Sequence, residues 1–351
     1  MPRQPISVKN KLSHRIKSLG LIDLHFHGAY GIDLMKAESP DLDRLAFRLL
    51  RSGVTGFCPT TLSAPPTDLL ESVRRLGTWI RSVETREKFQ GARPLGIHLE
   101  GPFIHPGACG AHPRGSVRRF DPRELERLWE ASRKTIRILT VAPEVFSAAQ
   151  LRQLLHWCAL RRVRLSLGHS KATQEQTAAA LDAGFTGLTH GWNAMPFHHR
   201  APGPLGAALG RHNVYVEIIP DGVHVSPSVV RWTLALHPQG VCFISDCVPS
   251  AGTKPGTQHS FGSLRVTQKE GASRLASGEL AGGSQVLTEV FRRWIENEAK
   301  ELNRNPAQLL RESLPCVTSV PLRALGKETK LPSKSLITWV INSRGNVKFH
   351  L

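Results

Sequence analysis

Short apolar runs alternate with longer amphipathic stretches along most of this chain. The runs at 20–27, 54–60, 95–100, 137–142, 163–168, 187–190, 214–219 and 241–246 have the length of buried strands. Between them, Asp43–Leu50, Asp68–Val83, Pro122–Ser132, Ser147–Leu160 and Gln174–Ala183 carry apolar residues at helical spacing. Pro40-Asp41, Asp121-Pro122 and Ser226-Pro227 place a polar residue or a proline where a helix opens. Eight strand-helix units over about 230 residues predict an α/β fold, a closed parallel (β/α)8 TIM barrel. A doubly wound open sheet is the alternative, but no glycine-rich phosphate fingerprint follows the first strand.

Past the eighth run the pattern changes. Residues 258–282 are rich in glycine, threonine and serine and predict a β-hairpin insertion. Two helices are predicted near 285–300 and 306–314, the second opened by Asn305-Pro306. Leu336–Ile341, followed by Asn342-Ser343-Arg344-Gly345-Asn346, predicts a terminal hairpin.

Composition narrows the class. Hydrophobic residues are 40% of the 351, and no apolar stretch approaches the roughly 20 residues of a membrane span. Residues 1–20 are basic without a continuous apolar core, so no secretory signal is expected. Six scattered cysteines with no CxxC pair read as reduced thiols in a cytoplasmic protein. The net charge of +18 is spread along the chain and would steer anionic substrates or hold nucleic acid non-specifically. Charge alone names no partner.

Candidate chemistry sits where the predicted strands end. His25 and His27, at i and i+2 of the first strand, share a face. The third strand ends in Glu100, the fifth runs into His169, the sixth into His190 and the eighth into Asp246. A rim of imidazoles and carboxylates suits Zn or Fe and suits calcium poorly. Glu100, His169 and His190 would leave room on such a metal for water and a substrate carbonyl. The pKa of that water would fall from about 16 towards roughly 7. Asp246 on the facing strand would move the proton to a leaving amine, which is hydrolysis of an amide-type bond. His98 shares Glu100's face but lies deeper, as interior packing or support for the ligands.

Read with their neighbours, these residues resemble the N-acetylglucosamine-6-phosphate deacetylases of the amidohydrolase superfamily. The similar segments are Ile22–Gly28, Gly96–Phe103, Gly110–His112, Leu167–Ser170, Thr189–Pro196, His198–Arg200, Asp221–His224, Ser245-Asp246 and Leu280–Gly282. They cover about residues 20–300 in order, and Gly96–Phe103 and Thr189–Pro196 carry most of the specificity.

The resemblance implies a metal on Glu100, His169 and His190, Asp246 as general acid/base, and a second metal where His25 and His27 are kept. It places substrate contacts on Ala111, His112, Asn193, Ala194, Arg200, His224 and Leu280-Ala281-Gly282. Arg200 and His224 would hold the phosphate of a phosphorylated amino sugar, with Arg200 reaching across a homodimer. It also implies a barrel over 20–315 between a basic extension at 1–19 and a C-terminal segment at 316–351. That last segment is the remnant of a small β-sandwich domain expected to be reduced or absent. Ala201 and Cys247-Val248-Pro249 depart from the family pattern. The expected activity is removal of acetate from the phosphorylated amino sugar, with no membrane and no specific nucleic-acid partner. The alternatives are another N-acyl amino sugar or cyclic amide, or a degenerate barrel that binds sugar phosphate or nucleic acid without catalysis.

Overall fold

The computed structural model describes residues 14–326, 336–342 and 344–350. The barrel strands are β1 (Leu21–Phe26), β2 (Val54–Thr61), β3 (Ile97–Glu100), β4 (Ile136–Val141), β5 (Arg164–Leu167), β6 (Gly187–Leu188), β7 (Tyr215–Ile218) and β8 (Val241–Phe243). Each pairs in parallel with the next. Between β8 and β1 the ring closes at the mouth. A parallel bridge joins Phe26 to Cys247, Asp246 N–H donates to His25 O at 3.0 Å, and His27 N–H donates to Cys247 O at 2.8 Å. The Asp23 carboxylate reinforces the seam by accepting from the Ser245 amide and hydroxyl.

The helices follow their strands: α1 (Ser39–Arg51), α2 (Pro66–Thr85), α3 (Pro122–Ala131), α4 (Ala148–Arg161), α5 (Gln174–Ala183), α6 (Gly203–Ala208), α7 (Pro227–Leu236) and α8 (Leu287–Glu301). In α1 the stripe Leu42, Leu45, Ala46 and Leu49 is buried, the i, i+3, i+4, i+7 face expected of a helix on a barrel. Asp121 caps α3 as predicted, and Ser147 and Thr173 form capping boxes with Gln150 and Gln176. At Ser226-Pro227 the proline alone marks the start, since the serine side chain makes no cap hydrogen bond.

Alternation along each strand divides the barrel into an outer core and an interior. Ile97 and Leu99 join the core beneath the helices, while His98 and Glu100 belong to the interior. The interior floor is apolar: Ile22, Leu24, Cys58, Ile138, Cys242 and Ile244 pack with Val320, Leu322 and Leu325. These last three come from or directly follow a short helix, Ser319–Ala324, beneath the barrel. Burying each such side chain stabilises the fold by roughly 1.5–3 kcal/mol. Barrel packing therefore runs to residue 325, past the boundary expected at 315, because the floor needs an apolar plug.

The insertion is more than the predicted hairpin. Gln258–Phe261, Leu264–Lys269, Ala272–Leu275 and Leu280–Gly283 form a four-stranded antiparallel meander. Its central turn places Glu270 and Gly271 at φ 52° and 81°, the two left-handed residues of a type I′ hairpin. Its last strand bridges Gly283 to Cys247, which hangs the meander over the mouth. Beside the barrel, His14–Leu19 pairs with Leu336–Ile341, which pairs with Val347–His350. Part of the span read as an extension is thus a strand. Trp339 anchors this sheet, fully buried against Phe291 of α8 and donating to Ser18 Oγ at 2.9 Å. Residues 1–13 and 327–335, parts of the expected extension and C-terminal segment, lie outside the described residues.

Candidate active site

The ligand set expected from the sequence converges at the mouth. Glu100 Oε1 lies 3.1 Å from His169 Nε2, 3.0 Å from His190 Nε2 and 3.4 Å from His25 Nε2. Its Oε2 lies 3.3 Å from His27 Nε2. Asp246 Oδ1 completes the ring, 3.3 Å from His25 Nε2 and 3.4 Å from His27 Nε2. Three of these residues stand just past their strands in left-handed backbone: His169 at φ 48°, His190 at 33° and Asp246 at 49°. That conformation costs on the order of 1–3 kcal/mol per non-glycine residue. β6 and β8 end at Leu188 and Phe243, earlier than predicted.

Neighbours fix which ring nitrogens carry protons. His169 Nδ1 faces the Ala108 carbonyl at 2.9 Å, and His25 Nδ1 faces Glu217 Oε2 at 3.1 Å. In the neutral rings both Nδ1 atoms donate, which leaves both Nε2 lone pairs facing the ring. His112 is the reverse. Ser63 N–H donates to its Nδ1 at 3.1 Å, so the neutral ring carries its proton on Nε2, 3.1 Å from Glu100 Oε2. His112 is therefore built as a donor beside the carboxylate. Burial is the main force pushing it down to about 4, and His169 adds to this.

Such a ring calls for positive charge at its centre. His169 and His190 bring Nε2 atoms to 3.0 Å of each other, and His25 and His27 to 3.1 Å. Two lone pairs so placed repel unless a proton or cation lies between them. Burial opposes charge on His25, yet Glu100 and Asp246 hold its pKa well above the ordinary value. Burial likewise works to raise both carboxyls, but His25 and the neighbouring imidazoles hold Glu100 well below the usual range and Asp246 at about 2. Groupings of His25, His27 and Glu100, and of Glu100, His112 and His169, have the spacing of a metal site. Buried nitrogen and oxygen donors fit Zn or Fe.

Glu217 was not among the residues singled out from the sequence. It is buried on β7, orients His25 through Nδ1 and accepts from His190 N–H at 3.3 Å. The signal was present: one acid within the apolar run Val214–Ile219, where an unpaired carboxylate is costly. Beneath it His98 spans Leu24 O at 3.0 Å and Thr140 Oγ1 at 2.7 Å, the supporting place read for it.

A cavity of about 290 Å³ opens above the ring. Its walls include Ala111, His112, Asn193, Ala194, His224 and Leu280-Ala281-Gly282, together with His27, Glu100, His169, His190 and Asp246. Phe261 of the meander roofs it and sets its ring against His27 at 5.2 Å. His224 Nδ1 lies 2.7 Å from Asp221 Oδ2; burial disfavours its charge, but Asp221 prevails and raises its pKa. Arg200 is elsewhere, exposed on the loop after β6 with His199 Nε2 at 3.2 Å, and is not a wall of its own cavity. All six cysteines are buried thiols. No helix among the described residues is long and apolar enough to cross a membrane.

No protein-family model matches the chain. Among curated proteins it is 37% identical over 278 residues to N-acetylgalactosamine-6-phosphate deacetylase of Escherichia coli O157:H7, spanning 78% of this chain and 71% of that one. It is 34% identical to N-acetylglucosamine-6-phosphate deacetylase of Bacillus subtilis, over 77% and 67% of the two chains. Among solved structures, a variant of N-acetylglucosamine-6-phosphate deacetylase from Mycobacterium smegmatis, in complex with N-acetylglucosamine 6-phosphate, superposes with a TM-score of 0.81 at 30% identity. That match covers 94% of this chain and 84% of the other. Identity of 32–34% over most of both chains, with the matching fold, places this chain in the N-acetylglucosamine-6-phosphate deacetylase family.

Proposed function

We propose that this chain removes the acetyl group of N-acetylglucosamine 6-phosphate, releasing glucosamine 6-phosphate and acetate. The convergence of Glu100, His169, His190 and Asp246 on one cavity carries this reading. Glu100, His169 and His190 would hold one Zn or Fe ion, and His25 and His27 would offer a second position. When bound, the metal polarises the acetyl carbonyl and acidifies water.

The chain's own groups do the rest. Asp246, held ionised beside His25 and His27, takes a proton from the attacking water and delivers it to the amide nitrogen as the C–N bond breaks. The water's hydroxyl stays on the acetyl carbon, so the step balances. His112 presents its Nε2–H beside Glu100 to orient the substrate. His224, charged with the help of Asp221, takes the phosphate, and Asn193, Ala111 and the Leu280–Gly282 edge enclose the sugar. Arg200 completes the phosphate site of a second copy in a homodimer, which agrees with its distance from its own cavity. Six buried thiols fit a cytoplasmic setting.

Acetate release by the purified chain with added Zn²⁺ or Fe²⁺ tests the proposal, with the gluco and galacto epimers side by side. The 37% identity to a galacto-named relative makes that epimer the sharpest rival. The gluco substrate should turn over faster. Asp246→Asn should lower kcat by about 10²- to 10⁴-fold, and Arg200→Ala should act mainly on KM. Preference for the galacto epimer, or an Asp246→Asn variant with undiminished rate, would sink the reading.

A further inference from the structure

A second hollow, of about 560 Å³, opens where α4 ends and β4 and β5 begin, at the opposite end of the barrel from the mouth. Four of its fourteen lining residues are arginines, and none of the fourteen is acidic. Arg161 is engaged already, bonded to Glu126 at 3.0 Å and stacked over Trp157 at 4.7 Å. The other three make no ion pair among the described residues. Among the described residues Arg137 donates to the Lys134 and Ile136 carbonyls, at 3.1 and 2.9 Å. Arg164 lies half-buried against the Gly326 backbone and Arg162 is exposed; neither side chain has a hydrogen-bonding or ion-pair partner among the described residues.

Helix electrostatics accounts for only part of this. Cations at the end of α4 complement its dipole, which explains Arg161 and Arg162. It does not explain Arg137 and Arg164, which sit at the starts of two adjacent strands. Partial burial, with Arg81 nearby, works against the charge on Arg137, and Glu84 offsets this only in part. Like charges gathered in a hollow are stabilised by a shared anion, and guanidinium forks match phosphate oxygens. Apart from Thr186 the remaining wall is apolar, with Leu155, Leu165 and Leu325, and the volume lies within the range of small-molecule sites.

We infer that this hollow binds an organic polyphosphate of the nucleoside di- or triphosphate class, independently of the deacetylase cavity. The guanidinium groups take the phosphates and the leucine wall takes the nucleoside. Isothermal titration of the full chain with ATP, inorganic tripolyphosphate and adenosine, at about 0.15 M salt, tests this. ATP should bind saturably, tripolyphosphate more weakly and adenosine not at all. The Arg162→Ala/Arg164→Ala double variant should weaken ATP about tenfold or more, with melting temperature and deacetylase kcat unchanged. Arg162→Glu, at an exposed position, gives the same readout if the double change disturbs folding. No saturable ATP binding at this salt, or equal binding by wild type and variants, overturns the inference. So does tripolyphosphate binding as tightly as ATP, which removes the nucleoside. Single-stranded RNA that binds through the same arginines and is not displaced by ATP would assign the hollow to nucleic acid instead.

Discussion

At the floor of the barrel Leu24, Ile138 and Ile244 close against Val320 and Leu322, whereas further along the same three chain segments stand His25, Thr140 and Asp246. The floor is held by area removed from water, and any well-fitting apolar set would serve it. The mouth is held by pairings, His25 and His169 each fixed by a specific acceptor and each carboxylate by several rings. At the same end of the barrel, beside the start of β7, His237 donates to Val214 O at 2.8 Å, accepts from Gly210 N–H at 3.2 Å and stays neutral. The same residue type is a strut at one end and a ligand at the other. Its partner decides which.

The comparison breaks if floor and mouth fail to separate under mutation. Leu322→Ala removes part of the plug and should cost about 2–5 kcal/mol of stability while kcat/KM holds at temperatures where the variant stays folded. Urea melts beside initial rates check both halves; lost activity in the folded variant would mean that the floor positions the ligands. Glu217→Gln should do the converse. It keeps the volume but loosens His25, so metal affinity or activity should fall roughly 10- to 100-fold. Competition with a chelator measures that, and an unchanged affinity would reduce Glu217 to a packing residue.

The smallest expected effect concerns pH. Burial lowers the His237 pKa below its ordinary 6.5, so the unfolded chain binds the proton first as pH falls. This site's stability is complete above about pH 6.5 and declines from there towards the lower folded value. His237→Gln should flatten that part of the stability profile without altering the metal dependence of the rate. An unchanged slope would show that His237 is solvated rather than buried.

What could be read from the sequence follows the same division. Strand-helix alternation and the ligands at strand ends are local signals, and β1, β2 and β4 lie within a residue or so of their predicted limits. Helix Ser319–Ala324 carries Pro321 and spans only six residues, so nothing local marks it; the hollow beneath the barrel gives it a role. The third and fourth strands of the meander, Ala272–Leu275 and Leu280–Gly283, lack strict alternation and owe their pairing to neighbours. Glu217 escaped notice because one acid inside an apolar run gains meaning only when His25, 192 residues away, is seen beside it.

What fills the ring around Glu100 decides the chemistry of this chain. Elemental analysis of the purified chain, wild type beside Glu100→Gln, addresses it most directly. One or two equivalents of zinc or iron in the wild type, lost together with acetate release in the variant, is the expected result. A metal-free wild type that still deacetylates, or a variant that keeps both metal and rate, would contradict it.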